Sequence, residues 1–288
     1  MIACSRLDWL APNQRFLSSR CSTVPCPSTV KTENTDDLLF EAVRLARLAG
    51  QIQLRHFRSR SMGIEVKQQN DFNVVTSADK ESESLIISAI RQAYPDHAIL
   101  AEESGATDGE AGYRWVIDPL DGTTNFSAGL PIFSVSIAVE LDGDPIVGVV
   151  FAPYLDELFT AVKGEGAWLN GNPISPSVTT SLSSAVVSTG FPYDKAQNPD
   201  NNLDNVARVM PLVRGLRRLG SAAVDLCYVA AGFLDGYWEL NLNRWDIAAG
   251  SLIAREAGAC VTSFRDDRGY SLIAATPAVH PLLAQLIE

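Results

Sequence analysis

Two carboxylates flank a proline in the run Trp115-Val116-Ile117-Asp118-Pro119-Leu120-Asp121-Gly122-Thr123-Thr124-Asn125. Trp115 to Ile117 reads as a short buried strand, and Pro119 and Gly122 end it in a turn. Such a turn can aim Asp118, Asp121 and the carbonyl of Leu120 at one point, and hard oxygen donors of this kind suit Mg2+. Gly122-Thr123-Thr124-Asn125 then offers backbone N–H groups at the start of a helical turn, a cradle for phosphate. Asp, Pro and Gly are also the commonest turn formers, so the motif taken alone reads equally well as a capped turn.

Other acids shift that balance. Ile99-Leu100-Ala101 is a strand-like run ending in Glu102-Glu103-Ser104, and Trp245-Asp246-Ile247-Ala248-Ala249-Gly250 puts a carboxylate at the start of a helix reaching about Ala257. Asp79 follows Val74-Val75-Thr76-Ser77-Ala78 where another helix opens. Taken singly, Asp79 and Asp246 read as N-caps. Acids recurring at four element ends form the pattern that an oxygen-ligated, multi-metal site requires.

The elements that position them follow from periodicity. Leu38, Leu39, Ala42, Val43, Leu45, Ala46, Ala49 and Leu54 recur at helical spacing behind Thr35, Asp36 or Asp37. A second helix starts at Ser77 or Asp79 and stops near Tyr94-Pro95. Apolar runs at Ala98–Ala101, Trp115–Ile117, Val135–Leu141, Ile146–Phe151 and Leu158–Val162, with turns such as Asp142-Gly143 between them, predict antiparallel hairpins. After the polar stretch Ser175–Ser181 the pattern alternates: Ala185–Ser188, Ser221–Ala231, Tyr237–Leu240 and Ile247–Ala257. The expected organisation is an N-terminal extension (1–34), an α+β half carrying the metal site (35–178) and an α/β half (179–288).

The chain has 288 residues, 46% of them apolar, which suffices for a large core. A net charge of −11 argues against a nucleic-acid binder that works by neutralising phosphates. An anionic substrate would then need a bound cation. Five cysteines without a C-x-x-C pair make neither a disulfide framework nor a zinc site, and Cys227 and Cys260 read as small buried hydrophobes. No stretch reaches the roughly 18 apolar residues of a membrane span. Residues 1–32 are rich in Ser, Pro and Cys, with Arg6, Arg15 and Arg20 against the single acid Asp8. They read either as an organelle transit peptide or as an unstructured extension of a cytoplasmic protein.

From about Asp36 to Glu288 the chain resembles the inositol monophosphatases, members of the lithium-sensitive, magnesium-dependent phosphatase superfamily. The resemblance rests on Val75–Asp79, Glu102-Glu103-Ser104, the run from Trp115 to Phe126, and Trp245 to Gly258. It implies an α+β fold, a layered αβαβα sandwich, and hydrolysis of inositol monophosphate or a similar polyol phosphate with two or three Mg2+ ions. Glu102, Asp118 and the Leu120 carbonyl would hold one ion, Asp118, Asp121 and Asp246 the second, and Glu102 a weaker third. Asp79 and Thr123 match the pair that orients and deprotonates water, and Lys67 matches a lysine near the catalytic loop. Gly122 and Thr123 amides would hold phosphate. Gly220, Ser221, Ala222, Glu239 and Asp121 match the polyol-contacting residues. A homodimer is implied, with no membrane or nucleic-acid partner, although some bacterial relatives associate with the transcription machinery.

Ala101 and Ala259 stand where the family often has glycine, and Arg244 precedes Trp245 where members vary. None of these removes a ligand. Arg244 would pair with a substrate anion or with Glu239, which leaves the substrate open and admits a histidinol-phosphate phosphatase as the alternative.

Overall fold

The structure, a computed structural model, describes residues 33–59, 63, 65–66 and 74–288, which lie in one compact unit, Lys31–Glu288. Residues 1–32 and Lys67 lie outside the described residues.

Helix α1 (Thr35–His56) starts behind Asn34, whose side chain accepts from the Asp36 amide at 3.1 Å. Its buried stripe runs Leu38, Ala42, Leu45, Ala46, Ala49, Ile52 and Gln53, the spacing of one helical face. Strands β1 (Glu65–Val66) and β2 (Val74–Val75) pair antiparallel ahead of α2 (Ser77–Ala93). Then come β3 (Ala98–Ala101), β4 (Gly105–Thr107), β5 (Tyr113–Asp121), the short α3 (Thr123–Ser127), β6 (Ser134–Leu141), β7 (Asp144–Ala152), β8 (Glu157–Val162), β9 (Gly166–Leu169) and β10 (Asn172–Pro173). The second half adds β11 (Val186–Thr189), α4 (Leu203–Val209), β12 (Gly215–Arg217), α5 (Ala222–Ala230), β13 (Gly236–Leu242), α6 (Arg244–Ala257), β14 (Cys260–Arg265), β15 (Tyr270–Ala275) and α7 (His280–Ala284).

The first eight-stranded sheet has the order β10-β9-β8-β7-β6-β5-β3-β4 and the second, five-stranded sheet β12-β11-β13-β15-β14. The hairpin expectation needs one correction: β3 pairs with β5 in parallel, with Ala101 opposite Ile117. The helix α6 also begins three residues before Ile247, at Arg244.

Three apolar clusters define five layers. Trp115, Ile117, Val135 and Ile137 face α1 and α2, whereas Val116, Ala138 and Val150 on the opposite face meet α5 and α6, the alternation a strand imposes. Tyr237, Leu272 and Ala274 of the second sheet join that central cluster, so the two halves share a core. Val187, Trp238 and Ile273 turn outward toward Val209 of α4 and Leu283 of α7. The result is an αβαβα sandwich. Trp115 is fully buried, and truncating such a residue to alanine typically costs about 3–5 kcal/mol. Ser175–Ser181 runs between the two sheets without regular structure, and Cys227 sits in the central cluster.

Candidate active site

In a regular strand Asp118 and Asp121, three positions apart, would point to opposite faces. Strand β5 avoids this with a bulge: Asp118 lies opposite Ser136 and Asp121 opposite Ser134, so one extra residue is accommodated at Pro119-Leu120. The insertion restores a common face. Proline is tolerated because a bulge leaves that residue out of the ladder. The parallel register of β3 beside β5 carries Glu102 to the same carboxyl edge, next to Asp118, the edge at which sheet enzymes place ligands.

Three helix N-termini each grip one oxygen of an acid. At α2, the amide and hydroxyl of Thr76 donate to Asp79 Oδ2 at 2.9 and 2.5 Å. At α6, the Asn243 amide donates to Asp246 Oδ2 at 2.6 Å. At α5, Ser221 Oγ and the Ala223 amide donate to Asp121 Oδ2 at 2.5 and 2.8 Å. Asp79 and Asp246 therefore occupy the third helical position rather than the cap itself, which Thr76 and Asn243 fill. Thr-x-x-Asp and Asn-x-x-Asp are capping-box spacings legible in the sequence.

Glu102, Asp118, Leu120, Asp121, Thr123, Tyr193 and Asp246 line one cavity, with no Lys or Arg among its described lining residues. Burial, then the fields of Glu102, Asp121 and Asp246, drive the Asp118 pKa well up. Burial does the same for Asp246. Asp121 is pushed up to about 6 by burial despite its hydrogen bonds from Ser221 and Ala223. Asp79, just outside, is also pushed up to about 6 by burial, against the hydrogen bonds from Thr76. Thr123 Oγ1 stands 3.1 Å from Asp79 Oδ1 and 3.0 Å from the Leu120 carbonyl, so its single proton serves one or the other.

Among the described residues no three acids, histidines or cysteines are already gathered tightly enough to hold an ion; Asp118 shares a hydrogen bond with Glu102 instead. The donor chemistry nevertheless fits a hard divalent cation, since every candidate donor is an oxygen.

A second cavity opens beside the first and is lined by Asp121, Gly122, Thr123, Phe191, Tyr193, Arg218, Gly220, Ser221, Ala222, Glu239 and Asn241. Every residue expected to touch substrate lies on it. The Ser221 hydroxyl is already committed to Asp121, so what this turn offers the pocket is backbone. Glu239 Oε2 accepts from the buried Tyr237 hydroxyl at 2.7 Å, and burial raises its pKa to about 7. A Cβ on Gly190 would fall 2.0 Å from the Glu239 carboxyl; only glycine leaves that room. At Gly122, φ is +91° and a Cβ would meet the carbonyls of Ile132 and Gly220 at 3.0 and 3.1 Å, so the phosphate-cradle glycine is also where two turns abut.

Arg244 departs from expectation. It donates to Glu140 Oε1 at 2.6 Å and to the Gly143 carbonyl at 3.1 Å, away from Glu239. Fully buried Glu140 also takes Arg114, and the two guanidiniums together satisfy it. Sequence reasoning also missed supporting residues. Gln53 on the buried face of α1 donates to the Pro119 carbonyl at 2.7 Å, Glu83 accepts from the Glu103 amide at 2.9 Å, and Asn125 bridges the carbonyls of Ile132 and Leu219 at 2.8 and 2.7 Å. A glutamine within an apolar helical stripe was the one available signal.

The sequence profile of the inositol monophosphatase family matches residues 34–288. The Nus factor SuhB of Pasteurella multocida is 46% identical over 244 residues, 83% of this chain and 91% of the relative. Among solved structures, an inositol monophosphatase from Anabaena (Nostoc) sp. PCC 7120 is 38% identical with a TM-score of 0.78, covering 88% of this chain and 96% of its own. The extragenic suppressor protein suhB from Bartonella henselae is 37% identical with a TM-score of 0.80, covering 87% and 98%. With its carboxylate cavity at the bulged edge of β5 and a match from end to end of the described fold, the chain belongs to the inositol monophosphatase family.

Proposed function

We propose that the chain is a Mg2+-dependent phosphatase that hydrolyses inositol monophosphate or a similar polyol phosphate. The observation that carries this reading is the cavity in which Glu102, Asp118, Asp121 and Asp246 meet with no cationic side chain among the described lining residues. Such a cavity repels a phosphate dianion unless bound cations reverse its sign. Glu102, Asp118 and the Leu120 carbonyl would hold one ion, and Asp118, Asp121 and Asp246 a second, with Glu102 available to a third. When bound, Mg2+ supplies an acidified water and neutralises charge on the phosphoryl and leaving oxygens.

The protein residues do the rest. Thr123 Oγ1, within reach of Asp79 Oδ1, orients the attacking water, and Asp79, whose burial raises its basicity, takes up its proton. The Gly122 and Thr123 amides hold phosphate, while Glu239 and the Gly220–Ala222 turn receive the alcohol's hydroxyls. No covalent nucleophile is required.

Lithium sensitivity, a homodimer and a cytoplasmic setting belong to the same reading. A phosphate-release panel tests it: inositol 1-phosphate, histidinol phosphate, fructose 1,6-bisphosphate and a 3′-phosphonucleotide, each with and without Mg2+ and Li+. Mg2+-dependent, Li+-inhibited release, fastest on inositol 1-phosphate, is expected. A faster rate on histidinol phosphate would move the assignment to that alcohol, for which the Glu239 carboxylate offers an ammonium partner. A second reading, a Nus-factor role, rests on the name of the bacterial relatives. It requires that a variant without turnover still complements loss of such a factor.

A further inference from the structure

The segment from Gly190 to Asn202 has no place in the sequence argument, yet it carries Phe191, Pro192 and Tyr193 into the wall of the substrate pocket. Of these, Tyr193 also lines the acid cavity. Its ring therefore stands where the phosphate-handling and alcohol-handling spaces meet. The residue is 52% exposed overall, and it lines both cavities.

A half-exposed aromatic on a loop depends on that loop for its position. Two anchors restrain it. At the end of the loop, buried Asn202 donates to Thr189 Oγ1 at 2.8 Å and to the Gly190 carbonyl at 2.6 Å, and accepts from Trp238 Nε1 at 2.8 Å. Midway, Arg268 from the turn between β14 and β15 donates to Asp194 and to the Asp200 carbonyl, the latter at 2.6 Å. The Asp194 carbonyl accepts from the amides of Gln197 and Asn198 at 2.9 Å, and the Lys195 amide donates to the Pro192 carbonyl at 3.1 Å. Arg268 thus holds the residue next to Tyr193 in a closed turn.

Resting on the phosphatase reading, the geometry points to Tyr193 as a specificity-determining residue for the alcohol half of the substrate, its ring covering the C–H face of a cyclic polyol. Arg268 is the positioning residue that holds it there through Asp194. The pocket's other wall supplies Glu239, Asn241 and Arg218 for hydroxyl groups. A cyclitol or pyranose phosphate presents both a hydroxyl edge and an apolar face and fills this space. An acyclic alcohol phosphate leaves the ring largely uncovered.

The test compares kcat and KM for inositol 1-phosphate and glycerol 2-phosphate, at saturating Mg2+, in the wild type, Tyr193→Ala, Tyr193→Phe, Arg268→Ala and Arg268→Lys, with Tm measured for each. Tyr193→Ala should raise KM for the ring substrate about tenfold with kcat within about threefold, and raise KM for glycerol 2-phosphate several-fold less, so that the ring-over-chain preference falls. Tyr193→Phe keeps the ring and should keep the preference. Arg268→Ala should lower the preference more weakly than Tyr193→Ala, and Arg268→Lys should recover part of it. An unchanged ring-over-chain preference in Tyr193→Ala, or an equal loss on both substrates, overturns the role of Tyr193. A Tm loss without a change in preference overturns that of Arg268. Absence of Mg2+-dependent release from either substrate by the wild type would instead overturn the phosphatase reading beneath both.

Discussion

Two strands of this molecule use the same backbone device for different ends. In β5 the bulge between Asp118 and Asp121 sets three positions against two of β6, and in β13 the bulge between Glu239 and Leu242 does the same against β15. The β5 bulge brings Asp121 onto the face of Asp118, whereas the β13 bulge follows Glu239, which keeps the regular face it shares with Tyr237. The partners differ. Asp118 and Asp121 face other carboxylates, whereas Glu239 meets the Tyr237 hydroxyl and the field of Arg218. On the proposed reading the first end, where carboxylates face one another, takes metal ions, and the second takes neutral hydroxyls. That reading separates reaction from selection along one groove, with Asp121 at the junction.

Substitutions can break that division. Asp118→Asn, which removes a donor shared between two proposed ion sites without changing volume, should lower kcat about a thousandfold or more while far-UV circular dichroism is unchanged. Glu239→Gln should act on the other end, raising KM for inositol 1-phosphate about tenfold with kcat nearly retained, as steady-state kinetics would show. Equal losses of kcat in the two variants would erase the distinction.

The pH dependence of stability sharpens it. Asp79 and Asp121 titrate near 6 in the fold and Glu239 near 7, above their ordinary values of 3.8 and 4.5. The folded state therefore binds these protons more tightly than the unfolded chain does, and stability falls as pH rises from about 4 to about 7. Calorimetric scans without metal should show Tm dropping by several degrees across this window. Added Mg2+, which favours the ionised carboxylates, should reverse the trend. The smallest effect is expected at Arg244. Its removal leaves buried Glu140 with Arg114 alone and should cost about 1–3 kcal/mol by denaturant titration without altering substrate preference.

Much of this was legible in the sequence for identifiable reasons. Helices α1 and α2 announce themselves through periodic apolar residues behind capping residues, and the strands from Val135 to Val162 through short apolar runs divided by tight turns. The acids stood out because they end such runs. Short strands such as β4 and β12 carry too few residues for a pattern. The parallel pairing of β3 with β5 is a long-range choice that local sequence does not encode. Arg244 was misplaced because its partner, Glu140, lies 104 residues away on a strand that otherwise reads as apolar. The Gly190–Asn202 loop gave no signal, since its residues owe their position to Arg268, 68 residues beyond Asp200.

The central claim is that the β5 end is a cation site, and titration calorimetry with MgCl2 tests it without reference to turnover. The account predicts saturable Mg2+ binding to the wild type, weakened at least about tenfold in Asp118→Asn and nearly unchanged in Glu239→Gln. Identical Mg2+ binding by the wild type and Asp118→Asn would contradict it.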